Sequence, residues 1–299
     1  MGLGIGEAGS LIELLIPKHA LNSHVKYKVN PIVTYLHTIE NIREIYGTGS
    51  RPVIVHCNDL NDYLCKYDAP TNLLSEYLAA QFLGLWNLKF PECAFISIAK
   101  EHIGNLRLNP QLLDKVAFGT RFYDHADDVT GIFEMKSPSD ISRIKQKEAF
   151  LKIGLFDLWL SNEDRCANNS NILLVPFEEG EFFVPIDHSA IFNTGAVYTH
   201  YTTHLERLTQ EDSIICTHFT PLMFKHGKTL SETLEILESD FKYATKGCEV
   251  EVDQIFGNVP VDWDIDEHIK DKICSNIFND NWKSETWQTF LQYLQLTLR

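Results

Sequence analysis

Two short stretches carry the residue types that could do chemistry. In "NEDRCANNSN" (residues 162–171) an Asp and an Arg stand before a cluster of amides, and an apolar run, 172–175, follows. In "FVPIDHS" (183–189) another Asp closes a second apolar run, 182–186. Two apolar strands presenting Asp164, Asn169 and Asp187 at their ends would make a small, hard, oxygen-rich site. Such donors suit Mg²⁺ carrying phosphates better than zinc or a free nucleophile.

Phosphoryl transfer from ATP needs positioning and charge neutralisation around the γ-phosphoryl oxygens. The parts are a glycine-rich turn over the phosphates, a Lys on a strand and a Glu on a helix to orient it. An Asp must face the acceptor hydroxyl, and two groups must hold the metal. Each has a candidate, in a workable order. The turn is Gly47-Thr48-Gly49-Ser50, the Lys is Lys66 inside "YLCKY", and the Glu is Glu76 inside "LLSEYLAA". Asp164 would face the acceptor, with Asn169 and Asp187 on the metal. Taken singly, each also reads as structure. The turn could be a hairpin loop, Lys66 a snorkelling strand residue, Glu76 a solvent-facing helix residue, and the Asn cluster a turn using left-handed backbone. The joined set outweighs these readings. Ser50 could itself accept a phosphate, by position alone.

The elements that must position these residues are legible in outline. "IVTYLHTI", "RPVIVHC", "YLCKY" and "PECAFISIAK" read as strands, the middle two as a hairpin around "NDLND". Residues 71–86 have helical period, with Thr71 or Asn72 as the cap. Residues 105–137 read as irregular, with an acidic cluster of Asp124, Asp127 and Asp128 beside His125, and 139–160 as one long helix leading into the Asp164 loop. The remainder is mostly helical, with "GNVPVDWDIDEH" as a linker before the last segment. Gly4, Gly6 and Gly9 have dinucleotide-binding spacing but no strand before them, so they read as a leader. His200 and His204 have the spacing of a helical zinc pair, which Thr202 and Thr203 between them disfavour.

In combination, "GTGSRP", "YLCKY", "LLSEYLAA", "FDLWLSNEDRCANNSNILL" and "VPIDHS" resemble the HipA-like kinases, over about residues 31–195. The resemblance implies an α+β, two-lobe protein kinase-like fold, with an antiparallel-sheet N-lobe bearing one helix and a mainly helical C-lobe. It implies ATP and Mg²⁺ bound between the lobes, with Lys66 and Glu76 as the ion pair that anchors ATP. Asp164 takes the place of the catalytic-loop Asp, Asn169 of the metal-binding Asn and Asp187 of the second metal Asp. Residues 95–98 would run into the hinge that meets adenine. Asn171, the residue followed by the "ILL" strand, competes with Asn169 for the metal on that ground; spacing from Asp164 favours Asn169. Asn162-Glu163 stands where protein kinases have His-Arg, and Cys166 where many relatives have a Lys or His that can touch the γ-phosphate. Arg165 would supply that missing charge.

The resulting expectation is an extension over residues 1–30, an N-lobe over 31–100 and a C-lobe over 101–299. Its activity is transfer of the γ-phosphoryl group to a Ser or Thr hydroxyl of a protein. The competing readings are an impaired ATP-binding pseudokinase or interaction module, motivated by Cys166, and a kinase acting on a small molecule or lipid head group. With 26 basic against 41 acidic residues the net charge is −15, which disfavours direct nucleic-acid binding and an anionic membrane surface. The seven cysteines form no CxxC pair and read as reduced thiols of a cytoplasmic protein. The resemblance also implies an antitoxin-like DNA-binding partner, although no residue here identifies one.

Overall fold

A computed structural model describes residues 33–45, 51–104, 110–129, 142–195, 200–224 and 230–299. The first part is a six-stranded sheet. Its strands are β1 (Thr34–His37), β2 (Glu44–Ile45), β3 (Val53–His56), β4 (Asp62–Lys66), β5 (Cys93–Ser97) and β6 (Ala117–Arg121), in the spatial order β1-β5-β6-β4-β3-β2. All pairings are antiparallel except β1 with β5. The expected hairpin forms with Val53 opposite Cys65 and His56 opposite Asp62. Helix α1 (Pro70–Leu85) joins β4 to β5, and short helices α2 (Lys100–Ile103) and α3 (Pro110–Leu113) lie between β5 and β6.

Period-2 alternation decides what β4 offers to each side. Tyr63 and Cys65 are buried in a small cluster with Val53, Val55 and Ile96, while Leu64 and Lys66 line a cleft on the other side. In α1 every residue from Leu73 to Leu83 is buried, Glu76 included. The expected Thr71 or Asn72 cap is not used. Proline opens the helix after Ala69, whose side chain makes no cap bond, and the Asn72 amide turns back to Asp68.

Chain order misplaces the lobe boundary expected near residue 100. β6 sits between β4 and β5 in the first sheet, so that lobe extends through Arg121. Gly119 permits this, because a Cβ there would lie 2.3 Å from Ile96 Cδ1 and 3.4 Å from Tyr63 Cβ.

The second part begins with a three-stranded sheet, β7 (Asp127–Asp128), β8 (Ile172–Phe177) and β9 (Gly180–Pro185). Helix α4 (Glu148–Leu160) precedes β8. The expected single helix over 139–160 is broken before it: Gln146 has a left-handed φ of 50°, which no α-helix passes through, and Ile144 bridges to Glu181, while residues 139–141 lie outside the described residues. Helices α5 (Phe219–Phe224), α6 (Leu230–Gly257), α7 (His268–Ile277) and α8 (Asp280–Thr297) complete the fold. No described helix is long and apolar enough to cross a membrane.

The stretch expected as a linker packs instead. Trp263 is fully buried and donates its indole N–H to Val116 O at 2.7 Å, while Asp262 accepts from the Val116 N–H, also at 2.7 Å. With the Tyr77 hydroxyl donating to Ile255 O, the C-terminal helices close over the back of α1 and the approach to β6. This explains why α1 is buried almost all round.

Candidate active site between the sheets

A cleft of about 460 Å³ separates the two sheets. Leu64, Lys66, Phe118 and Thr120 line it from the first sheet, Glu76, Ala80 and Leu83 from α1, and Asn171, Leu173, Ile186 and Asp187 from the second sheet and its loops.

Lys66 is the link across it. Its ammonium donates to Glu76 Oε1 within its own lobe and, at 2.7 Å, to Asp187 Oδ1 of the other. Burial disfavours the ammonium, but the two carboxylates outweigh it and hold Lys66 above its ordinary value. Desolvation raises Glu76, partly offset by Lys66 and by the His188 backbone N–H. Burial also acts on Asp187, yet Lys66 and the Ser189 hydroxyl, 2.9 Å from Oδ1, keep it below the usual carboxylate range. The expected Lys66–Glu76 pair therefore forms. Glu76 is fixed in place because α1 is tied at its start, where the Tyr201 hydroxyl donates to Thr71 O at 2.6 Å and meets Ser75 Oγ at 2.8 Å.

The Asp164 loop follows from how α4 ends. Ser161 turns left-handed at the C-cap, and the buried Asn162 amide folds back on Asp157 at 3.0 Å. Asp164, half-buried, then accepts one amide on each oxygen: Asn169 Nδ2 on Oδ1 and Asn171 Nδ2 on Oδ2, both at 2.9 Å. Both amides therefore turn their Oδ1 atoms away from Asp164. Hairpin register brings this loop to Asp187. The ladder ends with Ile172 opposite Pro185, so Asn171 and Ile186 come next to each other, and the Ile186 N–H donates to Asn171 O at 2.9 Å.

Arg165 is not available to a phosphate. It is fully buried, with Nε donating to Asp157 Oδ2 at 3.0 Å and the guanidinium to Asn171 O at 3.1 Å, Ile186 O at 3.1 Å and His188 Nε2 at 2.9 Å. Since the guanidinium can only donate, Nε2 of His188 accepts and the ring is neutral. Burial and the neighbouring Arg165 push His188 the same way. The charge expected on the γ-phosphate is a brace between the Asp164 loop and the backbone before Asp187.

Residues 95–98 do not run into the segment that joins the two sheets. β5 lies inside the sheet with Phe95 and Ile96 buried, and α2 follows it. The chain passes from β6 to β7 through residues 122–126, of which Phe122, Tyr123, Asp124 and Ala126 line the cleft. Sequence reading missed this segment because "GTRFYDHADD" looks like an irregular loop. Asp127 and Asp128 of the acidic cluster form the exposed strand β7, paired with β8. Gly47, Thr48, Gly49 and Ser50 fall outside the described residues, as do Gly4, Gly6 and Gly9. His200 and His204 are exposed and lie in no helix.

A cation would find a hard donor set here. Among the described residues no three His, Cys, Asp or Glu side chains gather. Asp187 offers a carboxylate, and the amides of Asn169 and Asn171 keep their oxygens free of Asp164. Few protein oxygens beside phosphates and water is the manner of Mg²⁺.

A sequence profile described as HipA-like kinase matches residues 39–283. The chain belongs to the HipA-like kinase family. No curated protein matches it. Among solved structures, this HipA-like kinase is similar to the proinflammatory kinase CtkA of Helicobacter pylori, with 15% identity over 89% of this chain and 100% of that one and a TM-score of 0.50. At that identity the likeness is one of fold, and it agrees with the two-lobe architecture above. An aminoglycoside phosphotransferase from Alicyclobacillus acidocaldarius shares 12% identity over 87% of this chain and 94% of that one, at a TM-score of 0.27, too low to bear on the fold. Family and fold together support a phosphotransferase.

Proposed function

We propose that this HipA-like kinase transfers the γ-phosphoryl group of ATP, with Mg²⁺, to a Ser or Thr hydroxyl of a protein. The observation that carries the reading is Lys66, paired with Glu76 and reaching Asp187 across a cleft whose lining residue Asn171 donates its amide to Asp164. In this reading the base lies between Leu64 and Leu173 against residues 122–124, and Lys66 neutralises phosphate oxygens. Asp187, with Asn169, holds the metal. When bound, Mg²⁺ supplies charge neutralisation and orientation of the phosphates. The acceptor oxygen bonds to the γ-phosphorus as the bond to the β,γ-bridging oxygen breaks. The acceptor proton passes to Asp164, and ADP leaves. The net charge of −15 argues against an acceptor presented on an anionic lipid surface.

Calorimetric titration with a non-hydrolysable ATP analogue tests the first half of this reading. Binding should need Mg²⁺ in the wild type and be lost in Asp187→Ala. Tight binding that ignores both the metal and the substitution would overturn it.

A further inference from the structure

We propose that Asn171 is a positioning residue for Asp164, fixing the second oxygen of its carboxylate while Asn169 fixes the first. The proposal rests on the phosphotransferase reading above. A carboxylate held by one hydrogen bond can turn about its last side-chain torsion. Held on each oxygen by a separate amide, as Asp164 is, it can turn only by breaking both bonds.

The two amides differ in what stands behind them. Asn169 is exposed, and among the described residues its backbone is tied within its own loop, to Cys166. Asn171 lines the cleft, and its carbonyl accepts from both the Arg165 guanidinium and the Ile186 N–H. Asn171 thus connects the orientation of Asp164 to the strand end that carries Asp187. An in-line displacement needs that relation to be fixed. Asn171 sits at a φ of 46°, in the left-handed region that Asn tolerates and glycine adopts freely.

That backbone supplies a clean variant. Asn171→Gly removes the amide without forcing the main chain. ADP release from ATP and Mg²⁺ should fall roughly 10- to 100-fold in kcat. KM for ATP, the half-saturating Mg²⁺ concentration and the melting temperature should stay near wild type. Asn171→Ser, whose side chain is too short to reach Asp164, gives the same readout should the glycine variant not fold. An unchanged kcat overturns the role. So does a raised Mg²⁺ requirement, which would make Asn171 a metal ligand. A wild-type enzyme that releases no ADP overturns the functional reading and the role of Asn171 with it, so the two failures are distinguishable.

Discussion

Lys66 Nζ lies 2.7 Å from Asp187 Oδ1, although 121 residues separate them in the chain and they belong to different lobes. The same ammonium holds Glu76, whose side chain is 5% exposed. One cation thus serves two carboxylates at the bottom of the cleft.

Lys66→Met should therefore be costly before any catalysis is measured. It leaves a buried carboxylate without its cation, a change of about 3–5 kcal/mol. Adding Glu76→Gln should recover much of that loss, because the uncompensated charge goes with it. Urea denaturation of the two single variants and the double variant gives the coupling. A Lys66→Met protein as stable as wild type would contradict the geometry.

Asp157 sets a pH dependence. Burial pushes its carboxyl up to about 6 against the pull of Arg165 and the Asn162 amide, from an ordinary value of 3.8. Between those values the folded protein keeps a proton that the unfolded chain has released. The contribution of this group is full below the unfolded value and is lost as pH rises through the folded one. Asp157→Asn cannot titrate. Wild-type stability minus that of the variant should thus fall from about pH 4 to about pH 7, by up to about 3 kcal/mol at about 1.4 kcal/mol per unit. A difference that grows over this range would mean that Arg165 keeps the carboxylate ionised throughout.

Much of this was readable in the sequence, and the remainder was hidden for identifiable reasons. Lys66 stood out as a charge inside an apolar strand, and Glu76 followed on the next helix. Asp187 closed an apolar run. β6 was hidden because its central glycine, the residue that fits between β4 and β5, reads as a breaker when its neighbours are unknown. Arg165 looked catalytic because a charged side chain beside Asp164 suggests solvent and substrate. Its buried partner, Asp157, lies eight residues back inside α4, and only folding brings the two together. Trp263 lay in a polar, proline-containing stretch, with nothing local to indicate that it packs against Val116.

The closure by the C-terminal segment is open to test through Trp263. Trp263→Phe keeps the ring but strands Val116 O, and should cost about 1–3 kcal/mol. Trp263→Ala should cost about 3–5 kcal/mol and weaken hydrogen-exchange protection in β6. Stability within about 0.5 kcal/mol of wild type, the range of neutral surface changes, would show that this contact does not hold the lobes.

The most direct measurement is ADP release and label transfer from γ-labelled ATP with Mg²⁺, in the wild type and in Asp164→Asn. The substitution keeps the side-chain shape but cannot take the acceptor proton. The wild type should turn over and label a Ser or Thr. The variant should bind the nucleotide as before and turn over about 10²–10⁴-fold more slowly. Equal rates in the two proteins, or nucleotide binding with no turnover in the wild type, would contradict the account.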